Sequence, residues 1–569
     1  MDNTAVADTL DRIAAYLDLK GENTFRVRAW RNAARTVEGF TVPLATAIAD
    51  GSLEQAKGIG PAILQVIVEL VQTGRSDMFE SLREEVPSGL VEMMAISGLG
   101  VAKIRQLHTA LGIETLPELE EAARDGRLAA LPRFGARTAE AILKGIAFLR
   151  QSSQLHLAHH ARDELNEIAA ALAAHPHISA VHPAGEVRRC SEVVRDLTLV
   201  AVADIPPADL FRMLGDLPGV NEVTGTDERR ATVRFGSRPP VQLIVTPPQN
   251  LGAVLVQATG SAEHLERLTS HAAERGFNLA GAALWQGSRF VPTPDEATLY
   301  QSLDLPWIPP ELRETGDEIG RAVPPLLERS HLRGFLHCHT TYSDGTNTVA
   351  QIAMACRDAG YEWVGITDHS RAAAYAGGMQ PDDLRRQWDE IDQFNAGNHG
   401  IRVLKGIESD ILADGALDYP DDILAQFDFL IASVHSRFNL AEPEMTARFL
   451  RAIESPYLTI IGHPTGRLLL SREGYAVDLD AIFEAAGKAG VAIEINADPY
   501  RLDLDWRVLR RARDAGVMIS IGADAHSIAG LANVDFGVAI ARKGGLGPDD
   551  ILNCGNVEDF LAFARARRQ

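Results

Sequence analysis

Cysteine is scarce in this chain: Cys190, Cys338, Cys356 and Cys554 are the four among 569 residues, and no two share a pairing interval. That argues against a disulfide scaffold or a structural zinc knuckle and fits a reducing compartment. No run of about eighteen uncharged apolar residues occurs, and Met1-Asp2-Asn3-Thr4 leads into sequence charged throughout, without the apolar segment of a secretory leader. Neither a membrane span nor secretion is expected, and a cytoplasmic location is. Basic residues are the minority charge, 55 Lys and Arg against 77 Asp and Glu, for a formal net charge of −22. This argues against broad coating of a polyanion. It leaves room for a nucleic-acid substrate, because local basic patches and bound divalent cations reverse the sign where they sit.

What the chain does have is length and a particular placement of histidine. A length of 569 residues exceeds one ordinary core, and an apolar fraction of 46% with 23% charged residues is that of a globular multidomain protein. In the C-terminal half, Phe335-Leu336-His337-Cys338-His339 sets two imidazoles one residue apart on an apolar run. On a strand both project to the same side. Asp344 follows closely, and the pattern recurs. Val364-Gly365-Ile366 precedes Asp368 and His369, Val403-Leu404 precedes Glu408, Phe429 to Val434 precedes His435, Leu458 to Ile461 precedes His463, and Val517 to Ile521 precedes Asp524 and His526. Helices are expected between the runs at 347–359, 382–396, 444–454, 478–487 and 505–515. Parallel strands of such a repeat bring their C-terminal ends to one rim. A single histidine after a strand is more often an ordinary hydrogen-bonded residue, but the joint pattern points to shared divalent cations.

Mixed oxygen and nitrogen ligation suits Mn²⁺ or Zn²⁺. A carboxylate spans two cations and an imidazole does not, so Glu408 can act as a bridge where the imidazoles cannot. Arg371, Arg437 and Arg467 follow ligand-bearing segments; Arg437, two residues past His435, either clamps a phosphate or makes a surface salt bridge. The loop from Ser370 to Met379, with Arg371 and Tyr375, either closes over a substrate or is a plain exposed loop.

The N-terminal half opens with an amphipathic helix over 4–20 and a basic stretch, Phe25 to Arg35, that is either a solvated helix face or a phosphate contact. Three short turns then lead into apolar-periodic helices: Lys57-Gly58-Ile59-Gly60, Ser97-Gly98-Leu99-Gly100 with Lys103 beyond it, and Phe134-Gly135. Backbone N–H groups exposed at the start of the next helix can hold a phosphate.

These turns resemble helix-hairpin-helix elements, which grip a DNA backbone without reading its sequence. The C-terminal motifs, His337 to Gly345, Asp368-His369, Gly406-Ile407-Glu408, Ser433-Val434-His435-Ser436, Gly462-His463-Pro464 and Gly522 to His526, resemble the polymerase and histidinol phosphatase (PHP) family of metal-dependent phosphoesterases. That resemblance implies a distorted (βα)7 barrel holding three divalent ions. The first would take His337, His339, Glu408 and Asp524; the second Glu408, His435 and His463; the third Asp344, His369 and His526.

The segment from Ile178 to Val200 resembles the palm of family X DNA polymerases, in which an Arg-Arg pair, here Arg188 and Arg189, precedes a strand bearing two carboxylates. Asp196 fills the first position, Thr198 stands at the second, and Gln242 falls where a third carboxylate is expected. A palm pair of Mg²⁺ ions is thereby left with one of its three anionic ligands. Glu186 and Arg195 depart from the pattern as well, Val66 occupies the position of the lyase lysine, and His264 is kept. Asp204 or Glu192 could substitute as a displaced carboxylate.

The expected fold is multidomain, α+β and α/β. It comprises a helical DNA-binding domain over 1–90, a helix-hairpin-helix fingers-like domain over 91–175, a nucleotidyltransferase-like palm over 176–250, a thumb-like domain over 251–315, a linker over 316–332 and the PHP barrel over 333–569. The resemblance implies a bacterial DNA repair protein at the nucleoid, monomeric, acting on gapped, nicked or 3′-ended DNA. It would work mainly as a metal-dependent 3′–5′ exonuclease or 3′-end-processing phosphoesterase, with polymerase activity weak or lost. A still-active gap-filling polymerase and a non-catalytic DNA-end scaffold are the alternatives.

Overall fold

A computed structural model describes residues 3–568 apart from 39, 41, 57, 97, 153, 217–218, 226 and 237–238. Lys57 and Ser97, which open two of the glycine turns, thus lie outside the described residues. The chain forms two compact units, 1–154 with 470–472, and 155–469 with 473–569.

In the first unit the described elements up to residue 152 are helices, from Asn3–Lys20 to Ala136–Ser152. Leu10, Ile13, Tyr16, Trp30, Ile67 and Ile104 share one core. The basic segment is the helix Thr24–Glu38, which buries Val27, Trp30, Ala33 and Val37 and turns Phe25, Arg26, Arg28 and Arg35 outward. Gly58 and Gly98 sit at φ +92° and +79°, in the left-handed region that favours glycine. That sharp reversal sinks the intervening Ile59 and Leu99 into the core, at 9% and 2% exposure. Gly60 and Gly100 then cap the helices Pro61–Thr73 and Val101–Leu111. A Cβ added at Gly60, Gly98, Gly100 or Gly135 would meet nothing within 4 Å, so these turns are open to close approach. Lys103 folds back, its Nζ donating to the Gly98 carbonyl at 2.7 Å.

The second unit begins with a five-stranded mixed sheet in the order Ile178–Pro183, Leu197–Ala203, Val241–Thr246, Arg230–Phe235, Val220–Gly225. The helix Ala158–Ala173 packs Ala161, Leu165, Ile168 and Leu172 onto this sheet, so the palm core includes a helix lying before residue 176. Helix Leu251–Thr259 covers the opposite face through Val254 and Leu255. The thumb adds helix Ala262–Glu274, the three-stranded sheet that starts at Phe277, and helix Glu296–Ser302.

The largest sheet is wholly parallel and runs in the order Arg402–Lys405, Trp363–Ile366, Gly334–Cys338, Ile519–Ala525, Ala492–Asn496, Ile460–Ile461, Ile431–Ser433, Glu408–Asp410. The two terminal segments are one strand interrupted at Gly406-Ile407. One half pairs with Trp363–Ile366 and the other with Ile431–Ser433, so eight segments close into a seven-stranded barrel. Helices over Val349–Asp358, Pro381–Ala396, Glu442–Ile453, Leu479–Ala489 and Trp506–Asp514 occupy the expected intervals. Leu336, Trp363, Leu404, Phe429, Ile460 and Phe560 form one apolar cluster. It is closed from below by the C-terminal helix Val557–Arg565, whose Phe560 ring lies 4.5 Å from that of Trp363. The chemistry is thereby confined to the opposite rim.

Trp363 is fully buried, its Nε1 donates to the Gly555 carbonyl at 3.2 Å, and a Cβ on Gly334 would fall 2.0 Å from its indole. Gly334→Ala should push that indole off Phe560 and cost about 1–3 kcal/mol. Urea denaturation checks this, and an unchanged midpoint would show that the base of the barrel has room to spare.

Candidate metal centre

The nine side chains expected to ligate cations converge at the C-terminal rim of the barrel. They form four overlapping sets whose ligand atoms lie within 4.8 Å of one another: His337, His339 and Asp524; His337, Glu408 and His463; His369, Glu408 and His435; and His339, Asp344, His369 and His526. Glu408 is central, its carboxylate 2.8 Å from His369 Nδ1, 2.9 Å from His463 Nε2, 3.3 Å from His435 Nε2 and 3.5 Å from His337 Nε2. His339 Nε2 lies 3.2 Å from Asp524 Oδ1. The partition into ions is less clean than the family pattern implies, because His369 stands between Glu408 and, at 3.7 Å from its Nε2, Asp344.

The backbone departs from regular strand where these groups are presented. His337, His463 and Asp524 have φ of +61°, +24° and +51°, and the pairing of Gly334–Cys338 with Ile519–Ala525 slips between Leu336 and Cys338. Such conformations are costly for residues with a Cβ and persist where surroundings dictate them. Two imidazoles on an alternating strand were legible in the sequence; the bulge that aims His337 was not.

Further carboxylates fix the imidazoles and were missed from sequence. Glu494 accepts from His337 Nδ1 and, at 2.9 Å, from the His463 backbone N–H; Asp410 accepts from His435 Nδ1. Asn496 Nδ2 donates to Asp524 Oδ2 at 3.0 Å. Asp410 and Asn496 each end a barrel strand, and Glu494 lies two residues before the end of its own, which is the signal that could have found them. Asp368 is no ligand: it accepts from the Thr340 N–H at 2.8 Å and from Thr340 Oγ1 and Gln387 Nε2 at 2.7 and 2.6 Å.

The fit to cations is tested by what the protein leaves unsatisfied. His337 Nε2, His339 Nδ1, His369 Nδ1 and Glu408 Oε2 are buried and make no well-directed hydrogen bond, although His369 Nδ1 and Glu408 Oε2 lie 2.8 Å apart. Polar atoms in such places normally have one, and these four face one another in the bowl. Burial alone would raise the Glu408 and Asp524 carboxyls, yet neighbouring imidazoles, His435 first for Glu408 and His337 first for Asp524, hold both well below the usual range. Asp344 is likewise brought down to about 2, chiefly by His526 against the opposing effect of burial. Imidazole nitrogens with ionised carboxylates, and no thiolate, form a donor set suited to Mn²⁺ or Zn²⁺.

The arginines sort differently from expectation. Arg371 is held by Asp418, with Nη2 3.0 Å from its carbonyl, and Arg467 by the Arg501 carbonyl at 2.9 Å and by Asp505 at 2.6 Å, so both are spent on the protein. Arg437 is exposed, at φ +58°. A guanidinium that the sequence did not single out, Arg501, also lies beside the cluster, with its Nε 3.7 Å from Asp524 Oδ2. Tyr375 stands at the mouth, its ring 6.1 Å from that of His369 and 6.3 Å from that of His435.

In the palm, Thr198 and Gln242 are register partners on adjacent strands, and Gln242 Nε2 donates to Thr232 Oγ1 at 3.0 Å. Asp196 is exposed at the start of the same strand. Among the described residues, groups of three or more potential ligands occur only in the barrel. Arg188 makes a forked pair with Glu296 at 2.6 and 2.9 Å, and Arg189 binds Glu314 at 2.9 Å and the Thr259 carbonyl at 2.6 Å. Both brace palm against thumb. Glu192, at 4% exposure, accepts from Arg507 at 3.0 Å and Trp506 Nε1 at 3.2 Å, which ties the palm to the barrel and removes it as a substitute metal ligand. Asp204 is exposed beside His177, 3.1 Å away.

Comparison with known proteins agrees with this layout. Residues 1–76 match the helix-hairpin-helix domain, 90–147 the SAM-like helix-hairpin-helix tandem, 254–314 the DNA polymerase beta thumb and 336–498 the PHP domain. The "DNA polymerase/3'-5' exonuclease PolX" of Bacillus subtilis (strain 168) is 36% identical over 562 residues, 98% of each chain. A "Probable phosphatase" of Thermoanaerobacter sp. (strain X514) is 26% identical over 239 residues, 40% of this chain and 92% of its own. One of Shewanella sediminis is 27% identical over 243 residues, 41% of this chain and 93% of its own.

Without a cation, His435 is held at about 10 because Glu408 and Asp410 outweigh the lowering effect of burial, and His526 at about 9 because Asp344 and Asp524 do the same. Both are protonated at pH 7, and a cation must displace those protons. Metal binding to chelator-stripped protein should therefore release protons and weaken as pH falls from 9 to 6. Titration calorimetry in buffers of different ionisation enthalpy measures the release; a buffer-independent heat would contradict it.

Proposed function

Because the chain belongs to the bacterial family X DNA polymerases that carry a PHP domain, we propose that it processes DNA 3′ ends, as a 3′–5′ exonuclease and 3′-phosphoesterase in base excision repair. The observation that carries this reading is the asymmetry between its two candidate centres. The barrel brings nine ligands together, whereas the palm keeps Asp196 and sets neutral Thr198 and Gln242 where anionic partners belong.

Bound divalent ions of the Mn²⁺ or Zn²⁺ kind would supply Lewis-acid neutralisation of a phosphate and a lowered pKa for water. The chain's own residues prepare for that. His337, His339 and Asp524, His435 and His463 with Glu408 between them, and Asp344, His369 and His526 would be the three ligand groups, with Glu408 the shared member. Glu494 and Asp410 occupy Nδ1 of His337 and His435 and so direct Nε2 of each ring into the bowl. Arg501, beside Asp524, is placed to clamp a phosphate, a role also open to exposed Arg437. The turns at Gly58, Gly60, Gly98, Gly100 and Gly135, with Lys103, hold the DNA backbone.

Among the described residues, no helix is long and apolar enough to cross a membrane. We place the protein in the cytoplasm as a monomer on gapped, nicked or 3′-ended DNA, with the palm and thumb serving as a DNA-shaped scaffold.

End-labelled gapped duplexes incubated with Mn²⁺, with and without dNTPs, test the reading. Shortening from the 3′ end is expected, reduced at least about 100-fold in Asp524→Asn together with its metal content, and unchanged in Asp196→Ala. Extension by the wild type that disappears in Asp196→Ala would restore the polymerase, and metal-loaded protein inert toward every DNA end would end the proposal.

A further inference from the structure

The loop between the second barrel strand and the helix Pro381–Ala396 carries the exposed aromatic nearest the cluster. Tyr375 is 71% exposed, although it sits within one side chain's reach of two proposed ligands, His369 and His435. A lone exposed aromatic is ordinary on a protein surface. The backbone that carries this one is held in place. The loop is clamped at both ends: Ser370 N–H donates to the Glu408 carbonyl at 2.9 Å, and Met379 N–H to the His369 carbonyl at 3.0 Å. Asp418 accepts the Ala372 N–H at 2.6 Å and holds Arg371, while the Tyr419 hydroxyl donates to the Met379 carbonyl at 2.5 Å. Tyr375 itself lies in the single 3-10 turn Ala374–Ala376, closed by Gly377 at φ +73°. These hydrogen bonds fix the loop backbone that carries an aromatic ring, open to solvent, at the mouth of a polar bowl.

Resting on the end-processing reading above, we propose that Tyr375 is the nucleobase platform of this centre. The base of the 3′-terminal nucleotide stacks on its exposed face while the phosphate lies over the imidazoles. The chemistry suits a nucleic-acid end of any sequence, since every base offers a π face and stacking tolerates them all. A small phosphate ester without a ring gains nothing from the contact. Tyr375 thus makes a barrel whose ligand set resembles that of phosphatases selective for nucleotides.

Two substrates that differ only in the base isolate this role: a single-stranded oligonucleotide with an ordinary 3′-terminal nucleotide, and the same strand ending in a tetrahydrofuran abasic residue. Wild-type protein with Mn²⁺ should remove the base-bearing terminus roughly ten-fold faster. Tyr375→Phe should keep that preference, and Tyr375→Ala should abolish it by slowing the base-bearing substrate alone. An equal fall on both substrates, or a preference that survives Tyr375→Ala, would overturn the assignment.

A second readout is independent of turnover. 2-Aminopurine at the 3′ end, joined through a phosphorothioate that slows cleavage, should be quenched on binding wild type and Tyr375→Phe but not Tyr375→Ala. If wild type cleaves neither substrate, the end-processing reading fails, and the fluorescence still decides the platform. Absence of quenching with intact cleavage overturns the platform alone.

Discussion

The structure depends on a carboxylate buried among imidazoles. Glu408 is 1% exposed and has five histidine rings within 4 Å: His337, His339, His369, His435 and His463. Burying an ionised carboxylate is expensive unless opposite charge surrounds it. His337 and His435, whose pKa values the surrounding carboxylates raise against the lowering effect of burial, supply that charge as protons and, by the proposed function, yield it to metal ions. Everything else in the barrel serves to deliver these six side chains from strands far apart in the chain. The parallel order sends every strand end to the same rim, the break at Gly406-Ile407 lets one strand close the ring, and Phe560 seals the base.

The outer partners show how tightly this is built. Glu494 holds both a ring nitrogen of His337 and the backbone of His463, while Asn496 on the same strand orients Asp524. One strand therefore positions three candidate ligands without contributing one. Left-handed backbone at His337, His463 and Asp524 is a local cost offset by those contacts.

The other half of the second unit keeps a polymerase-like shape in which charge has been redirected. Arg188 and Arg189, the pair that marks the palm in sequence, grip Glu296 and Glu314 of the thumb. Glu192 grips Arg507 and Arg467 of the barrel. The arginine pair that marks the palm in sequence, and the glutamate offered there as a displaced metal ligand, are here the cement between palm, thumb and barrel. The positions facing the would-be palm ions, Thr198 and Gln242, are neutral and engaged locally.

The amino-acid sequence determined the elements and the chemistry: the apolar runs, the helices between them, the glycine turns, and the nine His, Asp and Glu groups, each set just past a run of strand-forming residues. Period-two alternation and strand-end placement are local properties, so they are readable locally. Only the tertiary structure decided which of those groups face which. That Glu494 and Asp410 sit behind His337 and His435, and that Arg501 lies against Asp524, depend on contacts between strands and loops distant in the chain. A residue type states what a side chain can bind; its direction and its competitors are set by the packing around it.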